Sequence, residues 1–167
     1  MRDNEVVNVG PEPLTFDDVI RVARHGAPVQ LTDDALAAIS AARQRVDELA
    51  ESPTPAYGIS TGFGALATRH IDPALRAQLQ RSLVRSHAAG SGPEVETEVV
   101  RALMLLRLHT LATGHTGIRP TTAKTLAALI SAGITPVVHE YGSLGCSGDL
   151  APLAHVALTL MGEGVVR

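Results

Sequence analysis

The sequence predicts a mainly α-helical fold with short extended segments and loops. Apolar residues recur at helical spacing, as between Leu36 and Leu49. Helix-starting residues such as Asp72-Pro73 precede these stretches, and glycines such as Gly133 follow them. Hydrophobic residues make up 45% of the 167 residues, so one domain with its own core is expected, although only 2% are aromatic.

The first predicted elements are short. Residues 1–13 predict a short strand or an ordered arm. Thr15 and Asp18 have the spacing of a capping box, which predicts a short helix through His25. A longer helix is predicted to begin at Thr32 and to stop before two prolines. A glycine-rich loop follows.

The rest of the chain continues the helical pattern. Pro73 and Pro93 each suit the first position of a helix and so predict helix starts. An extended segment over 134–138 is expected to lead into a glycine-bracketed turn. The helices predicted in this part cover 73–90, 93–114, 121–132 and 150–161.

Composition and charge exclude several classes of function. The net charge is −3, and the chain has two tyrosines, two phenylalanines and no tryptophan. Neither a basic face nor stacking platforms for nucleic acid are therefore expected. No apolar run reaches the roughly 18 residues of a membrane span, and the opening residues do not resemble a signal peptide. We expect a cytoplasmic protein that binds neither nucleic acid nor membranes.

Cysteine and histidine usage argues against metals and disulfides. The single Cys146 cannot form an internal disulfide and fits a reducing compartment. The seven histidines include no His-x-x-x-His pair, and no second cysteine completes a zinc site. The glycine spacing fits neither a phosphate loop nor a dinucleotide fingerprint. We expect no metal and no nucleotide cofactor.

The segment Gly142–His155 carries the strongest chemical signal. Its tripeptide Cys146-Ser147-Gly148 lies in a turn directly before an apolar stretch, which predicts a helix capped by Asp149. The first turn of a helix leaves backbone N–H groups unpaired and favours negative charge. Such a position suits anion binding, an activated cysteine or backbone cyclisation.

Backbone cyclisation gives each residue of the tripeptide a role. The Gly148 nitrogen would attack the Cys146 carbonyl carbon, and water would leave. Loss of the Ser147 hydroxyl as a second water would leave an exocyclic methylidene. Because Gly148 has no Cβ, its nitrogen can approach a carbonyl in a compressed turn. The resulting ring is an electrophile, which ordinary side chains cannot provide.

The same segment resembles the signature of the aromatic amino acid ammonia-lyases, and that of the histidine-specific members most of all. In that family an Ala-Ser-Gly triad becomes a methylidene-imidazolone prosthetic group. This chain has Cys146 where alanine is usual and Leu144 where valine is usual, and neither change should prevent cyclisation. The resemblance covers essentially the whole chain. It implies the N-terminal part of the ammonia-lyase helical fold, a small amino acid substrate and a homotetramer.

A second match to the family is the loop Tyr57–Gly64, where backbone can come close to a ligand. The resemblance implies that Tyr57 is the catalytic base and that Gly64 supports the site. A phenol accepts a proton at neutral pH only where a helix dipole or a cationic neighbour favours the phenolate. Taken without the resemblance, Tyr57 would be interpreted as a tyrosine packed beside a turn.

A third match lies near the end of the third predicted helix. Ser86 and His87 resemble the histidine-specific version of the segment that selects the substrate side chain, and His87 could hydrogen-bond an imidazole. The resemblance also places Leu150 at the substrate and Asp149 among the supporting residues. Alternatively, His87 interacts with a helix dipole. His155 is interpreted as a histidine satisfied inside the protein or beside the site, not as an acid.

Together, these three matches to the family imply an enzyme that converts L-histidine to trans-urocanate and ammonia. The resemblance implies that residues 1–167 are the electrophile-bearing N-terminal region of a longer enzyme whose C-terminal helical bundle is absent. By the same resemblance, that bundle supplies the arginine for the substrate carboxylate, so the isolated chain is expected to be inactive. The alternatives are a tyrosine ammonia-lyase or aminomutase, a hydrolase with Cys146 as nucleophile, and an inactive interaction fragment.

Overall fold

Helices dominate the computed structural model, which describes residues 5–143 and 150–167. Within those residues, six helices and two pairs of short strands confirm the predicted mainly α-helical fold. In chain order the elements are β1 (Val7–Val9), α1 (Phe16–Ala23), β2 (Val29–Leu31), α2 (Asp33–Glu51), a 3₁₀ turn (Gly64–Leu66), α3 (Pro73–His87), β3 (Ser91–Glu94), α4 (Thr97–Ala112), α5 (Pro120–Ser131), β4 (His139–Tyr141) and α6 (Leu150–Leu160).

Side-chain caps explain where three of the helices begin. The Thr15 hydroxyl accepts from the Asp18 N–H at 3.1 Å, and the Asp18 carboxylate accepts from the Thr15 N–H at 3.0 Å. The predicted capping box of α1 is therefore present. Thr32 caps α2 by accepting from the Ala35 N–H at 3.2 Å, and Asp72 caps α3. These starts could be predicted because a cap is a contact within three residues.

The core is centred on α4. Met104, Leu105 and Leu108 are fully buried, and α4 packs against α1, α2 and α5. Arg101 of the same helix is also buried, and its guanidinium donates to the carbonyls of Val22 at 2.9 Å and Ile130 at 3.4 Å. Burial lowers the pKa of Arg101, and these two carbonyls replace part of the lost water. Arg101 therefore joins the last turns of α1 and α5 to α4.

Two strand pairs complete the fold. β1 and β2 are parallel, with Val7 opposite Val29, and the Val29 N–H donates to the Ser131 hydroxyl of α5 at 3.0 Å. β3 and β4 are antiparallel, with Ser91 opposite Tyr141. The second pair matters for the site because β3 follows α3 closely and β4 precedes residues 142–151. We term these residues the cyclisation segment, since they include the tripeptide that is predicted to cyclise.

One predicted helix start is wrong. Pro93 lies inside β3, and α4 begins only at Thr97. Proline suits both the first turn of a helix and a short edge strand. Here the residues around Pro93 form a strand because they pair with β4. One side of α4 faces outward, because Leu106 is 49% exposed although the neighbouring Leu105 is fully buried.

Candidate functional site

The tripeptide at the centre of the predicted site lies outside the described residues. Cys146, Ser147, Gly148 and Asp149 all fall between the end of β4 and the start of α6. Leu150, the first residue of α6, is exposed. The residues on either side define where this segment starts and where it ends.

The two ends of the cyclisation segment, Gly142 and Ala151, are in close contact. A Cβ added at Gly142 would lie 2.9 Å from the Cβ of Ala151 and 3.2 Å from the Cα of Gly90. Protein interiors do not accommodate such separations without a shift, so the contact requires a residue that lacks a Cβ. The residue after β4, the first turn of α6 and the link between α3 and β3 therefore come together at one point.

His155 lies one turn further along α6. Its Nε2 accepts a hydrogen bond from the Gly90 N–H at 3.2 Å. Its ring lies edge-on to the ring of His139 of β4, with the centroids 5.9 Å apart. Burial and, to a lesser extent, the neighbouring His139 lower the pKa of His155, which favours the neutral ring that can accept this bond. The Gly90 N–H thus satisfies His155, as the sequence predicts, and the interpretation that His155 is not an acid stays a prediction.

Ser86 and His87 share one acceptor at the end of α3. The Ser86 hydroxyl donates to the Leu83 carbonyl at 2.9 Å, and Nδ1 of His87 lies 2.9 Å from the same oxygen. Because a carbonyl only accepts, Nδ1 of His87 carries the proton and Nε2 is the acceptor of the neutral ring. The pair precedes Gly90 by only a few residues.

Tyr57 lies in a separate loop that is attached to α3. Its hydroxyl oxygen accepts from the Gly64 N–H at 3.3 Å, and its ring lies edge-to-face against Phe63. The Gly58 carbonyl accepts from Nε2 of Gln80 at 3.4 Å, which fixes the loop to the middle of α3. The Tyr57 side chain is 64% exposed.

Helix α3 therefore connects the predicted site residues. Ser86 and His87 contact each other directly, with 3.1 Å between Oγ and Nδ1. The Tyr57 loop is attached to the same helix through the bond from Gln80 to the Gly58 carbonyl, and Gln80 lies about 10 Å before His87 along the helix axis.

Sequence reasoning did not identify Gly90 as part of this arrangement, and it interpreted Gly142 only as the bracket of a turn. The available signal was the missing Cβ at both positions. Only the fold shows that the two glycines meet.

Other kinds of site are not seen in the described part of the chain. Residues 5–143 and 150–167 contain no group of three or more His, Cys, Asp or Glu side chains that could hold a metal ion. A groove between β2, α2 and α5 includes Asp33 and Lys124 but none of the predicted site residues. None of the described helices has the length and apolar character needed to cross a membrane.

The sequence matches known proteins over nearly its whole length. The family described as "Aromatic amino acid lyase" matches residues 14–167. The chain is 68% identical over 158 residues to the histidine ammonia-lyase of Streptomyces griseus, which covers 95% of this chain and 31% of that protein. The chain thus spans about a third of the length of the curated relatives it matches.

Solved structures are similar as well. The chain resembles a tyrosine aminomutase from Streptomyces globisporus with a TM-score of 0.89 and 43% identity, covering 96% of this chain and 30% of that one. It resembles the histidine ammonia-lyase from Trypanosoma cruzi with a TM-score of 0.87 and 35% identity, covering 97% and 30%. Proteins named for different reactions share this arrangement, so the fold alone does not select the substrate.

Proposed function

This chain belongs to the aromatic amino acid lyase family, and on that premise we propose that it forms the electrophile-bearing part of an enzyme that eliminates ammonia from L-histidine to give trans-urocanate. The observation that carries the proposal is the 68% identity with the Streptomyces griseus histidine ammonia-lyase over 158 residues. The Ser86–His87 pair at the end of α3 offers a polar group for the substrate side chain.

The prosthetic group of the proposed enzyme is a methylidene-imidazolone formed from residues 146–148. This group supplies an electrophile that turns the substrate amine into a better leaving group. The close contact of Gly142 with Ala151 supports ring formation, because it brings both ends of the segment to one place and so favours a compressed turn. Asp149 would cap the first turn of α6.

His87 is the proposed partner of the substrate side chain. Its Nδ1–H is engaged by the Leu83 carbonyl, so the neutral ring offers Nε2 as an acceptor to an imidazole N–H. Ser86 donates to the same carbonyl and thereby helps to fix the end of α3. The exposed Leu150 at the start of α6 offers apolar surface for the rest of the substrate.

Tyr57 is the proposed base that removes the β-proton of the substrate. Its oxygen accepts from the Gly64 N–H, which orients the hydroxyl within the loop. The bond to Gln80 ties the Tyr57 loop to the helix that carries His87.

A tyrosine ammonia-lyase or aminomutase is the second candidate. The similarity to the Streptomyces globisporus tyrosine aminomutase, at 43% identity, favours it. A phenol O–H could also donate to Nε2 of His87. The two candidates therefore differ in product rather than in the groups described above.

We further propose a cytoplasmic homotetramer that needs no metal ion. The support is the resemblance to the family together with α3, in which no residue is buried and Leu75 is 54% exposed. Other parts of an assembled enzyme would cover such a surface.

The experiment that tests this function joins the chain to the C-terminal part of the Streptomyces griseus relative; we term the product the joined enzyme. We expect urocanate from L-histidine, no coumarate from L-tyrosine, and a mass deficit of two waters within residues 146–148. The Ser147→Ala variant should keep its calculated mass and form no urocanate. Coumarate without urocanate would favour the second candidate. If the joined enzyme formed neither urocanate nor coumarate and its mass were unmodified, the proposal would be contradicted.

A further inference from the structure

Four residues from three parts of the chain meet beside the proposed site, and we term them the glycine contact: Gly90, Gly142, Ala151 and His155. Gly142 packs against both Gly90 and Ala151, and His155 reaches the Gly90 N–H from the next turn of α6. A Cβ added at Gly90 would lie 3.0 Å from Nε2 of His155 and 3.4 Å from the Cβ of His139. The contact is therefore tight on the side of β4 as well as on the side of α6.

The hydrogen bond fixes the chemical state of His155. Because the Gly90 N–H donates, Nε2 of His155 must carry a lone pair, which places the proton of the neutral ring on Nδ1. The neighbouring His139 is itself held, since its Nδ1–H donates to the Gly92 carbonyl at 2.9 Å. The His155 ring is thus oriented from α6 toward the β3–β4 pair.

The link between the glycine contact and His87 is short and internally bonded. The Ala89 N–H donates to the His87 carbonyl at 2.8 Å, and the Ala88 N–H donates to the Val84 carbonyl at 3.0 Å. Only two residues separate Gly90 from the end of α3, and both donate backbone hydrogen bonds to that helix. His87 is the last residue of that helix.

We propose that His155 is a positioning residue: by accepting from the Gly90 N–H, it holds the His87 ring in register with the two ends of the cyclisation segment and so supports binding of the substrate side chain. The proposal rests on the proposed function of His87. His155 acts through the backbone of Gly90 and does not itself touch the substrate.

Two variants separate the hydrogen bond from the packing. His155→Leu replaces the ring with an apolar side chain that still fills space but removes the acceptor. His155→Gln carries an amide oxygen at about the distance of Nε2 from the backbone, so it can still accept from the Gly90 N–H. The matched control is His109→Leu. His109 lies on α4 rather than α6, and its Nε2 contacts the Glu12 carbonyl at 2.9 Å.

In the joined enzyme, we expect His155→Leu to raise KM for L-histidine about tenfold while kcat stays within about threefold, since the loss falls on binding. The two-water mass deficit should be unchanged. His155→Gln should restore KM to within about threefold of the parent, and His109→Leu should match the parent. An unchanged KM in His155→Leu, or a His155→Gln variant as impaired as His155→Leu, would overturn the proposal.

Amide hydrogen exchange at Gly90 in the present chain tests the bond independently of activity. We expect exchange about tenfold faster in His155→Leu and near-parental exchange in His155→Gln. Equal exchange in all variants would overturn the inference about His155 even if the joined enzyme makes urocanate. A joined enzyme with native His155 that makes no urocanate would instead show that the proposed function is wrong.

Discussion

The backbone N–H of Gly90 donates to Nε2 of His155 at 3.2 Å, and this bond joins the link between α3 and β3 to the second turn of α6. The residue after β4, Gly142, packs against the same glycine. The segment proposed to form the electrophile therefore begins and ends where the proposed substrate-binding residue His87 is anchored.

Acid is expected to weaken this junction. Burial and His139, the titratable group that faces the ring from β4, lower the pKa of His155 below its ordinary value of about 6.5. As the pH falls, His155 is therefore protonated at a higher pH in the unfolded chain than in the folded chain. The stabilisation of the folded chain by neutral His155 is therefore fully present above about pH 6.5. It is lost as the pH falls through the pKa of His155 in the folded chain. Urea unfolding at about pH 7.5 and pH 5 should show a smaller loss of stability for His155→Gln than for the parent chain, and an equal loss would contradict the assignment.

Substitution of Gly142 by alanine should impair ring formation. The new Cβ would lie 2.9 Å from the Cβ of Ala151, so the ends of the cyclisation segment must move apart. Intact mass should show a smaller fraction of molecules lacking two waters. The double variant with Ala151→Gly removes the nearest clash and should recover part of that fraction. Full ring formation in the single variant would show that the close contact is not needed.

Loss of the Tyr57 hydroxyl should slow turnover without preventing ring formation. In the joined enzyme, Tyr57→Phe removes the proposed base, and we expect kcat to fall about a hundredfold or more. The two-water deficit should remain. Tyr141→Phe, which removes the hydroxyl of the other tyrosine in the chain, should keep kcat within about twofold. Near-parental urocanate formation by Tyr57→Phe would show that another group is the base.

The capping box of α1 should contribute measurably to stability. Thr15→Ala removes the side-chain acceptor for the Asp18 N–H and should lower the free energy of unfolding by about 1 kcal/mol. Thr125→Ala is the control, because its hydroxyl donates only to the Thr121 carbonyl within α5 and its side chain is exposed. Denaturant unfolding followed by circular dichroism gives both values. A loss in the control as large as in Thr15→Ala would mean that the cap is not the cause.

Local sequence predicted the helix starts well where a side chain caps its own first turn. Thr15, Thr32 and Asp72 each accept from a backbone N–H no more than three residues away. The same reasoning was wrong at Pro93, whose local signal fits a helix start equally well. The partner that places Pro93 in a strand is β4, which is distant in sequence.

The sequence by itself determined the helical class, the capped starts of α1, α2 and α3, and the motif around residues 146–148 that resembles the ammonia-lyases, because each depends on residue types at short spacing. Only the tertiary structure decided that Gly90, Gly142 and His155 meet and that α3 connects the Tyr57 loop to this contact. The physical reason is that such contacts join residues far apart in the chain. They depend on α4 and the two strand pairs, which fix where the chain segments lie, and no local spacing encodes them.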